Sequence, residues 1–321
     1  TCLTVARHHV LAARGWDVAA RGLPGAPPLH TVVGAQRHAT VDAALRAIGL
    51  GAPSIVVDAD GEGRMRPQEL ARVLRGLAGP VIVCAQAGNV NSGAFDPLPE
   101  IAALTRTHGA WLHVDGAFGL WAQAAPDRRH LTEGVAAADS WAVDGHKWLN
   151  VPYDCGYAIT AHPDSHRDAY ASTASYYVRG GGPQQSRDGM DWVPEASRRA
   201  RGIATWAALR SLGRQGVAEL VERCCTHAAR FAGLVAAQPG VAVLNEVVLN
   251  QVLVRFGDSD DHTRAVLAAV QREGTCWAGG STWHGQAVMR WSASNWSTTA
   301  ADVTRSAEAI LATHHRLWRP E

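Results

Sequence analysis

Short apolar runs alternate with amphipathic stretches through the first half of the chain. Thr31 to Gly34, Ser54 to Val57, Pro80 to Ala85 and Trp111 to Asp115 read as strands. The unbroken apolar character of Val81 to Ala85 is that of a strand covered on both faces. Between these runs the spacing predicts helices: one over residues 1 to 14, one starting at His38 or Thr40 and closing at Gly49 and Gly51, one from Pro67 to about Leu77, and one from Pro97 to His108. Residues 15 to 30, rich in Gly and Pro, read as a loop. Strands alternating with helices over short connections predict an α/β fold with a mostly parallel sheet. Functional groups then belong at the carboxyl ends of strands.

The pattern changes further on. Asp154 to Ala161 reads as a strand, and residues 171 to 194, with Gly180, Gly181, Gly182 and Pro183, as a mobile loop. A long helical region over about 197 to 238 is interrupted near Gly213 and Gly216. Strands follow at 241–246, 248–256, 275–278 and 287–294, with helices at 261–273 and 299–313. The expected organisation is a large domain over residues 1–196, a connecting helix over 197–239 and a small α+β domain over 240–321.

Composition narrows the functional classes. The chain has 321 residues, 47% hydrophobic and 18% charged, enough for one large or two moderate cores. A formal net charge of +1 gives no electrostatic basis for binding nucleic acid or an anionic membrane. No apolar run approaches the ~20 residues of a membrane span. The six cysteines show no metal-ligand spacing, so reduced thiols and a cytoplasmic location are expected, and no metal. The 12 tryptophans point to a Trp-rich core or to aromatic-lined pockets. The sequence opens at Thr1 in what reads as a helix already under way, so a preceding part of the natural protein is expected.

The candidate chemistry lies in two segments. Asp139 to Asn150 reads as a strand that breaks at Asp144-Gly145 and presents His146 and Lys147. A lysine there is expected to be buried, and burial favours the neutral amine that Schiff-base formation needs; elsewhere a lysine after a strand is simply solvated. Asp115 ends the strand Trp111 to Asp115, where a buried carboxylate requires a cationic partner, unless it merely caps a helix. An acid and an amine on neighbouring strand ends suit pyridoxal phosphate: the lysine bonds the cofactor and the aspartate keeps its ring nitrogen protonated.

The motifs His113-Val114-Asp115-Gly116-Ala117-Phe118-Gly119, Ala138-Asp139-Ser140 and Asp144-Gly145-His146-Lys147-Trp148 together resemble those of the group II pyridoxal phosphate-dependent amino-acid decarboxylases. The resemblance runs from His38 into the small C-terminal unit. It implies fold type I and a homodimer, and it implies decarboxylation of an L-amino acid to an amine and CO2. It assigns Lys147 to the cofactor aldehyde, Asp115 to the pyridinium, and Ala117 and His38 to the two ring faces. His146 falls to the phosphate, and Asn89 or Asn91 to a polar contact with the cofactor. Asp144 stands where relatives often carry Asn or Ser against the phosphate, an awkward place for an acid. Tyr177, with Tyr176 one register away, matches the loop tyrosine that protonates the α-carbon.

Arg198, Arg199 and Arg201 read either as an anion site or as a solvated helix face. Relatives place a phosphate-binding Gly- and Ser/Thr-rich turn just before the segment matching Thr1-Cys2-Leu3, and the sequence does not contain it. Two rival readings follow: aldehyde-forming or transaminating chemistry on the same cofactor, and an inactive chain serving as a binding or oligomerisation partner. The segment from Gly116 to Trp121 leans toward an aromatic or apolar substrate.

Overall fold

The computed structural model describes residues 1–172, 174–175 and 187–318. In chain order the elements begin α1 (Cys2–Ala12), α2 (Val18–Arg21), β1 (His30–Gly34), α3 (Ala39–Ala47), β2 (Ile55–Val57), α4 (Pro67–Arg75), β3 (Val81–Gln86), α5 (Leu98–Thr107), β4 (Trp111–Asp115), β5 (Ser140–Asp144), β6 (Gly156–Thr160) and α6 (Pro163–Tyr170). They continue with α7 (Arg201–Ala236), β7 (Val241–Val243), β8 (Gln251–Phe256), α8 (Asp260–Glu273), β9 (Gly279–Trp283), β10 (Gln286–Ser292) and α9 (Ala300–Leu317).

The first sheet has six strands in the order β2-β1-β3-β4-β5-β6. β1 to β5 are parallel, and β6 closes the sheet antiparallel to β5. All six residues of β3 are buried, as expected of a central strand with helices on both faces. Ile82 and Cys84 pack on one side with α1 and α3, while Val83 and Ala85 pack on the other with α4 and α5. The second sheet is antiparallel, in the order β7-β8-β10-β9. Its core stacks Phe231 on Trp291, with ring centroids 4.2 Å apart.

Helix α7 serves both cores. Leu220, Val221, Cys224 and Cys225 bury against the first, and Ala228, Phe231 and Val235 against the second. The interruption expected near Gly213 is real: φ is 62° there, a left-handed value that glycine adopts without a Cβ penalty. The two cores therefore share a covalent spine rather than a flexible linker.

Two expectations needed correction, and two features went unseen. The loop expected over residues 15 to 30 holds the short helix α2, capped by Asp17. The strand expected at 275–278 instead runs over Gly279–Trp283, where β10 pairs with it. The short helix α6 went unseen because its sequence is polar and buries His166 alone. The stretch between β4 and β5 holds three 3-10 segments, starting at Gly119, Arg129 and Val135, which lack the 3.6-residue periodicity that marks an α-helix. Trp111, Trp148, Trp283 and Trp291 are core residues, whereas Trp206, Trp277 and Trp296 are exposed. No helix among the described residues is long and apolar enough to cross a membrane.

Candidate active site

A cavity of about 980 Å³ lies at the carboxyl ends of β1, β3, β4 and β5, between the helices α1 and α3. Its wall includes His38, Asp115, Ala117, Asp144, Lys147 and Tyr157. Strand register brings the acids and the amine together. Asp115 ends β4 opposite Ala142 of β5, and the Gly116 amide donates to the Ala142 carbonyl at 2.9 Å. Asp144 ends β5: its amide donates to the Ala117 carbonyl at 3.2 Å, and its carbonyl accepts from Trp121 Nε1 at 3.0 Å. The chain then turns at Gly145, whose amide donates to the Cys155 carbonyl, and returns Lys147 toward the strand end.

Lys147 pairs with Asp144, not with Asp115. Its Nζ lies 3.0 Å from Asp144 Oδ2, with 27% of the lysine side chain and 25% of the aspartate side chain exposed. The expectation of a buried lysine is thus corrected: it is half-buried and charge-compensated. Its ammonium also sits 5.2 Å from the centroid of the Phe118 ring. Asp115 forms no salt bridge among the described residues. Its Oδ1 accepts the Ala117 amide at 3.2 Å. Burial pushes its carboxyl above the usual range, against the opposing pull of that amide and of the Lys147 and His38 charges. An enclosed carboxylate without a cation suits a protonated ring nitrogen. With an amine and the small Ala117 on the same wall, the residues fit pyridoxal phosphate.

His38 caps α3: its Nδ1 accepts the Thr40 amide at 3.3 Å and lies 2.7 Å from Thr40 Oγ1, which leaves Nε2 for the cavity that the residue lines. His113, which also lines the cavity, has its Nδ1 2.9 Å from Ser140 Oγ, and burial holds the imidazole down to about 4, so it is neutral at pH 7.

Other expected contacts fall elsewhere. His146 is absent from the cavity wall: its Nδ1 meets the Cys155 backbone, 2.7 Å from the carbonyl oxygen and 3.0 Å from the amide nitrogen, and its ring packs on Tyr153. Asn91 is also off the wall, its Oδ1 accepting from Ser281 Oγ in β9 at 2.8 Å. Asn89 is buried in its own loop, donating to the Gln36 carbonyl at 2.9 Å. Gln86, Gly88 and Val90 line the cavity in their place. Arg199 and Arg201 engage Asp154, and Arg198 pairs with Glu195, as on a solvated surface. Tyr177 and Tyr176 lie outside the described residues.

Two features escaped the sequence reading. Asp96 is buried, and its two oxygens accept the Met65 and Gln86 amides at 2.7 Å each, fixing the loop after β3. Nothing local distinguishes it from an ordinary turn aspartate. Arg7 of α1 lines the cavity and donates to the Ile48 carbonyl at the end of α3, while its buried Nε has no partner in the described structure. Its helical position gave no hint of that reach.

Comparison with known proteins places this geometry in a family. Acidic amino acid decarboxylase GADL1 of Bos taurus is 34% identical over 214 residues, covering 64% of this chain and 41% of that protein. Aromatic-L-amino-acid decarboxylase of Drosophila lebanonensis is 29% identical over 245 residues, 75% of this chain and 60% of that protein. The chain therefore spans about two fifths to three fifths of the length of these relatives. Among solved structures, Oryza sativa TDC with PLP and tryptamine superposes with a TM-score of 0.90 at 24% identity, covering 99% of this chain and 68% of that one, a likeness of fold. The family model described as the pyridoxal-dependent decarboxylase conserved domain matches residues 12–256, and the chain belongs to that family.

Proposed function

We propose that the protein carries out pyridoxal phosphate-dependent decarboxylation of an L-amino acid, with Lys147 as the covalent anchor of the cofactor. One observation carries the reading: Lys147 is the sole lysine among 321 residues, and it stands on the cavity wall with Asp115. Arginine supplies every other long-chain cation in the sequence, and its always-charged guanidinium does not provide the neutral amine that this chemistry uses.

When bound, the cofactor supplies an electron sink for the bond broken at the substrate α-carbon. The chain's own residues hold and orient the parts. Asp115 offers a carboxylate to the ring nitrogen, and its enclosure strengthens that charge pairing. Ala117 would leave room for a flat ring, and His38, whose orientation the Thr40 contact fixes, would stack on it. His38 Nε2 and Tyr177 are the groups proposed to deliver a proton to the α-carbon. Residues 1–4 and Arg7 form the far wall, where the first turn of α1 and a guanidinium favour an anion.

The test uses the single lysine. The chain is incubated with pyridoxal phosphate, reduced with borohydride and weighed intact. One added cofactor at Lys147, lost in Lys147→Ala together with the absorbance near ~420 nm, supports the reading; an adduct or band that survives the substitution sinks it. Amine and CO2, rather than aldehyde and ammonia, are the expected products across a panel of L-amino acids.

A further inference from the structure

The Asp144 carboxylate is an odd neighbour for a phosphate, yet the fold makes room for it. Its backbone is held from both sides, by Ala117 and by Trp121. The facing residue of β6 is Gly156, where a Cβ would lie 3.0 Å from Asp144 Oδ1. Asp144 Oδ2 meets Lys147 Nζ at 3.0 Å and His146 Nε2 at 3.7 Å. Asp115 and His38 also bear on this wall, and His113 of β4, Tyr157 of β6, facing Val143, and Cys2, Arg7 and Tyr170 line the same cavity. The two acids divide the work by geometry: Asp144 takes the lysine, and Asp115 is left for the cofactor ring.

We propose that Asp144 is a holding residue for Lys147: it keeps the lysine, whenever it is free of cofactor, as a docked ammonium ion. The inference rests on the pyridoxal phosphate reading above. In that reaction the bond from Lys147 Nζ to the aldehyde-derived carbon breaks as the bond from the substrate nitrogen to that carbon forms. Both linkages are protonated carbon–nitrogen double bonds. Two of the three protons of the substrate ammonium therefore pass to Nζ, which already carries one, and the lysine leaves as an ammonium ion. Asp144, within 3.0 Å, gives that ion a place to dock. Docked against the carboxylate, the departing ammonium is held at the end of β5 by charge pairing, so it does not compete with the substrate for the carbon it has left.

The test needs no cofactor. The chain carries two kinds of amine, Lys147 and the α-amine, so reductive methylation with isotope-labelled formaldehyde gives two resolvable signals, and the α-amine is an internal standard. At fixed pH, Asp144→Asn should raise the rate of Lys147 methylation relative to the α-amine by roughly three- to fivefold, the scale of a part-exposed ion pair. Gly156→Ala keeps the carboxylate but pushes it aside, and should give a smaller rise in the same direction. Circular dichroism checks that each variant is folded. An unchanged or lowered ratio in a folded variant overturns the proposal. Its failure is separate from failure of the functional reading, which shows instead as no borohydride-trapped cofactor on wild-type Lys147.

Discussion

Asp115 and Asp144 end neighbouring parallel strands, β4 and β5, on the wall of one cavity, and it is Asp144 that binds Lys147. Asp115 keeps a partly buried side chain with one amide donor and no counter-ion among the described residues. The difference gives the two acids opposite responses to substitution.

Asp115→Asn should leave the cofactor-free protein as stable as wild type or more so at pH 8. The folded chain raises the carboxyl above its ordinary value, so the folded state binds more protons than the unfolded one across that window, and stability falls as pH rises through it. The amide removes that loss and keeps an oxygen for Ala117. Cofactor affinity should drop on the order of tenfold or more, the cost of a charge-assisted hydrogen bond. Thermal melts without cofactor and a pyridoxal phosphate titration check the two halves.

Asp96 and His113 should act oppositely on stability between pH 4 and 6.5. Asp96 is pushed up to about 6 from 3.8 by burial, so it lowers stability as pH rises through that range. His113 is held down to about 4 from 6.5, so it raises stability over nearly the same range. The Asp96→Asn protein should therefore show a steeper rise of stability with pH than wild type. It should also lose roughly 1–3 kcal/mol at pH 7, because its NH2 would meet a backbone N–H. Urea midpoints at several pH values measure slope and offset separately.

Asn91→Ala should cost stability and spare cofactor binding. The side chain accepts from Ser281 Oγ at 2.8 Å, a link between the loop after β3 and the second sheet. Its loss is worth about 1 kcal/mol. Ser281→Ala should give a similar loss, and the double variant little more than either alone. A fall in cofactor affinity on Asn91→Ala would return Asn91 to the site.

Gly119→Ala should be among the most damaging small changes near the site. A Cβ there would lie 2.2 Å from the Ala87 carbonyl oxygen and 2.7 Å from the Gly88 amide nitrogen, both backbone atoms. Neither yields by a rotamer change, so the loop after β3 must move, at a cost of roughly 1–3 kcal/mol or more. Because Gly88 lines the cavity, cofactor affinity should fall as well. Denaturant unfolding and a cofactor titration are the measurements.

The sequence by itself determined most of the first sheet's elements and the two strand ends that matter. The apolar run of β3, the helix starting after His38, and Asp115 and Lys147 after apolar strands are all local patterns, set by backbone periodicity and by side chains close in the chain. Tertiary structure decided the partners. Asn91 meets Ser281 across 190 positions, a contact no local pattern encodes. His146 turns to the Cys155 backbone because β6 folds back antiparallel on β5. Asp144 and Lys147 stand three positions apart, and the turn at Gly145, closed on the Cys155 carbonyl, brings them together, while Asp115 stands one strand away. Burial and counter-charge are properties of the assembled wall, so the division of labour between the two acids comes into being only when β4, β5 and β6 lie side by side.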